Sequence, residues 1–387
     1  MKAHYAILGS GMQGTAAAYD LARFADAETI TLGDVSLGRA EAAAARVNAL
    51  VGREACRAAA VDALGFDSIS AFLEPATTLL SCVPYWMHPR IADVAIATGT
   101  HMCDLGGNTD VTHETLAKSA AAEAAGVTLV PDCGLAPGLV NSLGLFLLER
   151  RPGVDTVRLY CGVLPQHPEP PLNYKVTFNV EGLVTEYDYN AVVLREGEIV
   201  EVPTLSELET MLVEPLGIME AFTTSGGTST APYTLQGRIR NYEYKTFRFP
   251  GHCAAMRLYR DFGLWREDEI EVRGVKVRPK DVFCHVFGEA LSQYEDTDQC
   301  IIRAIGENRA DANSTPIVAD IYDQQDEATG FTSMERLTGF SLSIVAQAAT
   351  AGQIAKGAVR YENAMSGTDF VTAIRARGIE VRTNTGD

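Results

Sequence analysis

The sequence predicts an α/β protein: a doubly wound, parallel-sheet domain first, then an α+β domain on a mixed or antiparallel sheet. Three observations predict it. Short apolar runs alternate with alanine-rich stretches through the first 135 residues, a glycine cluster follows the first run, and from about residue 138 strand-like alternation dominates. Strands joined by helices require right-handed crossovers and a sheet covered on both faces.

The strands expected in the first part are 4–8, 29–34, 56–62, 77–83, 101–104 and 127–132. Between them, segments 12–25, 36–50, 66–73, 89–98 and 111–125 are rich in Ala, Leu, Glu and Arg, good helix formers. Six such strands complete a doubly wound domain. In the second part, 155–163, 191–202 (turning at Glu196-Gly197), 241–249, 269–277, 299–306 and 316–322 read as strands. Segments 138–149, 252–262 and 279–292 read as helices, and the tail offers two more at 337–352 and 368–377. The expected division is 1–137 for the first domain, completed by 337–387, and 138–336 for a second domain that holds substrate.

Composition narrows the class. Forty-seven per cent apolar and 21 per cent charged residues suit a soluble globular chain, and no apolar run is long enough to span a bilayer. No secretory signal opens the sequence, and the eight cysteines are scattered, the nearest two being Cys284 and Cys300. Reduced thiols and a cytoplasmic location are therefore expected, with no metal site. A net charge of −18 without a basic cluster argues against nucleic-acid binding. It is read as a solubilising surface, or as a field that attracts a cationic substrate.

Gly9-Ser10-Gly11-Met12-Gln13-Gly14 is a GxGxxG motif between the first strand and the first helix, and Asp34 follows twenty residues after Gly14. This is the Rossmann fingerprint: Gly9 makes the tight turn, Gly11 admits the pyrophosphate, Gly14 lets helix and strand pack, and the helix start at Met12 faces the phosphates. Asp34 can accept hydrogen bonds from a ribose diol and repels a 2′-phosphate. Val35 and Ser36 bring no cation, and Arg39, the nearest, falls in the following helix. NAD is the expected cofactor, over NADP and FAD. Asp62, ending the third strand, either caps the adenine side or caps its own loop.

Ligands of such sheets lie beyond the carboxyl ends of the strands. That rule selects Val83 and Pro84 after strand four, Gly106 after strand five and Asp132 after strand six. HExxH and GxSxG motifs are missing, and the stretch from Gly352 to Gly357 lacks the Lys-Ser/Thr pair of a phosphate loop.

DCGLAPG (132–138), PPLNYKVTF (170–178), EGLVTEY (181–187), TSGGTST (224–230) and YKTFRFPGH (244–252) together resemble the saccharopine dehydrogenase-like superfamily, and more narrowly L-lysine 6-dehydrogenases. The resemblance implies NAD-dependent oxidation of the ε-amine of L-lysine to a semialdehyde that cyclises to an imine acid. It also implies a homo-oligomer, at least a dimer, through the second domain's sheet.

Such a reaction needs a neutral amine, whereas free lysine's ε-ammonium has a pKa near ~10.4. A base or a desolvating pocket must remove the proton. Lys175, Asp132 and His252 are the candidate proton carriers. Arg248 or Lys245 would bind the α-carboxylate; along YKTFRF, Tyr244, Thr246 and Arg248 share one face. Glu181 would take the α-ammonium, with Tyr174 and Thr228, from the NYK and TSGGTST motifs, as further substrate contacts. Two alternatives stand beside this reading: a reductive aminase that makes a saccharopine-type or carboxynorspermidine-type product, and a non-catalytic NAD sensor.

Overall fold

The computed structural model describes residues 2–177, 180–311 and 313–385; Phe178, which closes the NYKVTF motif, lies outside them. The first domain runs β1 (Ala3–Leu8), α1 (Met12–Phe24), β2 (Ala27–Asp34), α2 (Leu37–Val51), β3 (Cys56–Ala60), α3 (Phe66–Leu73), β4 (Thr78–Ser81), α4 (His88–Thr98), β5 (His101–Asp104), α5 (Thr109–Leu116), α6 (Ser119–Ala125) and β6 (Thr128–Val130). The single helix expected over 111–125 is therefore two, divided at Ala117-Lys118. Asn108 starts the first by accepting from the Asp110 and Val111 amides.

α7 (Leu139–Arg150) leads into the second domain: β7 (Thr156–Pro165), α8 (Val180–Asp188), β8 (Ala191–Arg195), β9 (Glu198–Val202), β10 (Glu209–Val213), β11 (Gly217–Thr223), α9 (Ala231–Leu235), β12 (Asn241–Arg248), α10 (His252–Asp261), β13 (Ile270–Val272), β14 (Val275–Val277), α11 (Pro279–Ser292), β15 (Asp298–Glu307) and β16 (Ile317–Gln324). The tail adds α12 (Ser333–Thr350), β17 (Gly357–Ala358), α13 (Gly367–Arg375) and β18 (Arg382–Thr383). α8 and α9 were not expected from the sequence. The 269–277 strand is a small separate hairpin, β13–β14.

The first sheet has the order β17-β6-β5-β4-β1-β2-β3, all parallel. Strand order reverses beside β1, so the glycine turn and the loops after β4, β5 and β6 gather at one edge, as doubly wound topology requires. The second sheet runs β10-β11-β12-β7-β15-β16-β18, with β8 and β9 branching from β12. β12 and β7 are parallel and the other pairs antiparallel, so the sheet is mixed.

The tail joins the halves. β17 extends the first sheet and β18 the second. α12 has two buried sides. Leu342, Val345, Ala346 and Ala349 enter the core of the first domain, while Leu337, Phe340 and Ile344 enter the core beneath the second sheet. It crosses α1 at Gly339, where a Cβ would stand 2.8 Å from Ala16 Cβ, so only glycine allows that approach. Thr332 and Glu335 form a capping box at its start, and Asp298 of β15 accepts from the Ser333 and Met334 amides.

Candidate active site

The nucleotide end is built by backbone. Gly9 has φ +100°, and a Cβ there would lie 2.6 Å from the Cys82 carbonyl oxygen. At Gly14 a Cβ would lie 2.0 Å from the Gly9 oxygen, whereas at Gly11 it would meet open space. Close packing thus demands two of the glycines, and the third keeps the approach clear. α1 has neither a side-chain cap nor an acidic residue in its first turn. Its first helical bond is Thr15 N–H to Gly11 C=O, so the amides of Met12, Gln13 and Gly14 have no partner within the helix. Gln13 Oε1 is buried with no partner beside them. This open, positive helix end fits a dinucleotide pyrophosphate.

Asp34, buried at the end of β2, accepts from the Ser10 amide (3.1 Å) and the Ser36 amide (3.0 Å). Asp62 is committed to its own turn: its carboxylate accepts from Leu64 N–H, and its amide donates to the Ser68 hydroxyl oxygen. The structure gives it the loop-capping role and brings it to no other candidate residue. Beyond β4, Val83 is half-buried and Pro84 exposed.

Beyond β5 and β6 lies a group of buried acids. Asp104 Oδ1 accepts from the Gly106 amide (2.8 Å) and the Asp132 amide (3.3 Å), with His88 Nε2 3.9 Å away. His88 Nδ1 is 3.1 Å from Ser81 Oγ. Asp132, at φ +66°, accepts from the Thr112 hydroxyl and the Ser229 hydroxyl. Gly106 has to be glycine: its φ is +70°, and a Cβ would lie 2.1 Å from Asp132 Oδ1. Burial pushes the Asp104 carboxyl up to about 7; burial, then the Asp104 charge, does the same to Asp132. Burial holds His88 neutral, down at about 3.

The TSGGTST segment runs as a strap from these acids to a second cluster. Ser229 bonds Asp132, while Thr230 and Thr234 donate to Glu362, whose carboxyl burial also lifts to about 7. At the other end Thr224 Oγ1 lies 2.7 Å from Thr246 Oγ1, and Ser225 N–H donates to the Glu186 carbonyl. Gly227 presses on the Tyr244 ring. Thr228 donates to the Val192 carbonyl, which makes it a fastening of the strap rather than a substrate contact.

Arg248 centres the second cluster. It is 4% exposed, its guanidinium carbon lies 5.0 Å over the Tyr174 ring, and Nε donates to Tyr187 Oη at 3.1 Å. Tyr187 Oη in turn lies 3.1 Å from His252 Nε2. Among the described residues no carboxylate lies within ion-pairing distance of Arg248. Glu186, half-buried on α8, is the nearby acid; burial lifts its carboxyl to about 7 against the pull of Arg248. His252 is pushed well below the usual histidine range, by burial first and then by Arg248.

Three expected residues leave this cluster. Lys245 faces the opposite side of β12, pairs with Glu209 (3.1 Å), and lines a polar groove of about 240 Å³ with Arg158, Glu243 and Glu307. Neighbouring residues on a strand point oppositely, so Arg248 and Lys245 cannot share a ligand. Glu181 is exposed on α8, at about 140° around the helix from Glu186. Lys175 donates to the Asp296 carbonyl, while its neighbour Tyr174 turns inward over Arg248. Asp132 is close to the cofactor loops, but its carboxylate is taken up by the Thr112 and Ser229 hydroxyls. Glu186 and Tyr187 sit in the EGLVTEY motif but carry no signal of their own until that motif is known to be helical.

Comparisons with known proteins agree with this geometry. The saccharopine dehydrogenase NADP binding domain family matches residues 5–130, and the saccharopine dehydrogenase C-terminal domain family matches 134–379. The chain is 24% identical over 239 residues to the mitochondrial alpha-aminoadipic semialdehyde synthase of Rattus norvegicus, covering 58% of this chain and 26% of that protein. It is 24% identical over 254 residues to the Bos taurus protein of the same name, covering 62% and 27%. It thus spans about a quarter of the length of these curated relatives. Apo saccharopine dehydrogenase (L-Glu forming) from Saccharomyces cerevisiae superposes with a TM-score of 0.77 over 99% of both chains, at 17% identity, a likeness of fold.

Proposed function

The chain belongs to the saccharopine dehydrogenase family, and from that premise we propose that it is an NAD-dependent amino-acid dehydrogenase that oxidises the ε-amine of L-lysine to the 6-semialdehyde. One observation carries the substrate class: Arg248 is a buried cation that, among the described residues, makes no ion pair. Burying a charge without a counter-ion is costly, and a site that tolerates it is complementary to an anion that arrives with the ligand. A substrate α-carboxylate is such an anion.

Glu186 supplies the opposite requirement. A carboxyl held near 7 in a half-buried place can take a proton from an ammonium group. Tyr187 accepts from Arg248 and is itself packed edge to face against His252, so buried aromatic rings surround the guanidinium. The bound pyridine nucleotide supplies the hydride acceptor. Gly11, the α1 amides and Asp34 would hold it, with Val83, Pro84 and Gly106 at its nicotinamide end.

Saccharopine-type products carry additional carboxylates and would need additional cations, so a single buried arginine without an ion pair among the described residues favours the smaller amino acid. The names of the curated relatives also lean towards lysine metabolism. The test is nucleotide reduction by purified protein across amino acids and diamines at mildly alkaline pH, with a reverse panel of keto acids, amines and NADH. Lysine turning over in the forward panel supports the proposal; turnover only in the reverse panel replaces it with a reductive aminase. A homo-oligomer through the second sheet belongs to the same proposal, and light scattering of the purified chain measures it.

A further inference from the structure

Arg248 has a negative counterpart at the other end of the strap. Asp104 and Asp132 are 2% and 1% exposed, and no lysine or arginine among the described residues comes within ion-pairing distance of either. His88 does not replace one: it is held neutral, and its buried Nε2 makes no hydrogen bond among the described residues. Asp104 ends β5 and Asp132 follows β6, in the half of the sheet that runs from β4 to β6. In a doubly wound domain the first half takes the adenosine and this half faces the nicotinamide. Asp132 Oδ1 lies against Gly106 at that end.

Thr112 lets the place hold either protonation state. Its hydroxyl has one proton but two acceptors in reach, Asp132 Oδ1 at 3.0 Å and the Asn108 carbonyl at 3.1 Å. Beside an ionised Asp132 it donates to the carboxylate. Beside a protonated one it donates to Asn108 and accepts from the acid. The other titratable groups facing the pair are His88, Cys82, Cys103, Cys133 and Glu362. Burial pushes the Cys82 and Cys133 thiols up, so both stay protonated. Glu362 is fastened by the Thr230 and Thr234 hydroxyls.

A nicotinamide ring is positively charged when oxidised and neutral when reduced. We propose that the Asp104–Asp132 pair is the counter-ion of the oxidised ring, losing a proton to solvent when oxidised nucleotide binds and keeping it when reduced nucleotide binds. Each buried charge then has an opposite one, which removes the cost of burying it alone. The inference rests on the pyridine-nucleotide reading above and adds a redox-dependent proton to it.

The experiment is calorimetric titration of the purified full chain with NAD+ and, separately, NADH from about pH 5.5 to about pH 8, in buffers of different ionisation heat. The free acids titrate near 7, so NAD+ should bind up to about tenfold more tightly per pH unit towards that value and level off above it. Below it, NAD+ binding should release up to about one proton. NADH affinity should change by less than about threefold over the same range. Asp104→Asn combined with Asp132→Asn should flatten the NAD+ curve, whereas Glu362→Gln should leave it sloped. Thermal melting checks that the variants fold. Parallel pH curves for the two nucleotides in the wild type overturn the inference, whatever the variants do, and leave the dehydrogenase reading standing. A slope lost in Glu362→Gln and kept in the double variant also overturns it. Binding of neither nucleotide ends both.

Discussion

At the scale of single residues, Arg248 separates function from stability. Arg248→Met removes a buried charge that forms no ion pair among the described residues, Glu186 being only a nearby acid, and an apolar replacement of similar length often leaves such a site as stable or more so. We expect an unchanged or raised melting temperature, together with a lysine KM higher by about tenfold to a hundredfold, as for a lost hydrogen bond to a charged group. Kinetics and calorimetry on one preparation check both. Glu186→Gln is expected to remove activity and flatten the pH profile. As base, Glu186 must be deprotonated, so wild-type kcat/KM should rise with pH through about 7. A profile that stays sloped in Glu186→Gln would exclude it as the base. The sequence showed Arg248 through the alternation of YKTFRF, and the same alternation separates Lys245 from it. It did not show Glu186, because choosing between Glu181 and Glu186 depends on knowing that 180–188 is a helix. Partners brought in from distant segments, such as Ser229 for Asp132, have no local signature at all.

At the scale of elements, the 224–230 strap fixes one domain to the other through acids that the fold keeps protonated more readily than water does. Asp104, Asp132 and Glu362 all have folded pKa values raised to about 7. Between roughly pH 4 and pH 7 the folded state therefore binds more protons at these groups than the unfolded chain, and their contribution to stability falls as pH rises. His88, lowered to about 3, acts in the opposite sense below its unfolded value. Asp132→Asn isolates the acid part: its unfolding free energy should fall less steeply than wild type between pH 5 and pH 7.5. Urea titrations at a series of pH values measure the difference, and identical slopes would show that Asp132 does not titrate in that interval. The loops that carry these acids were legible, since Asp104 and Asp132 end apolar runs beside glycines. The strap was legible only as a motif, because its anchors are hydroxyls donated across the domain boundary.

At the scale of the whole molecule, the positions of the first six strands could be read from the alternation of runs and helices. The seventh, β17, could not: two residues carry no period. The tail is also held by a buried ion pair, Arg377 to Asp20 on α1, at 2.7 and 2.9 Å. Arg377→Met strands a buried carboxylate and should cost about 3–5 kcal/mol. The loss is expected in one cooperative transition that unfolds both domains, because α12 lies in both cores; circular dichroism melting beside intrinsic fluorescence tests whether the two signals coincide. That shared helix has a consequence for synthesis on the ribosome. The first six strands have been translated by residue 130, but the helix that covers their exposed flank is not complete until residue 350. At about 5–20 residues per second the nascent half waits roughly ten to forty seconds with alanine-lined apolar surface uncovered. Its yield in a cell should therefore depend on chaperones that hold unfinished chains, and slower translation should lower it.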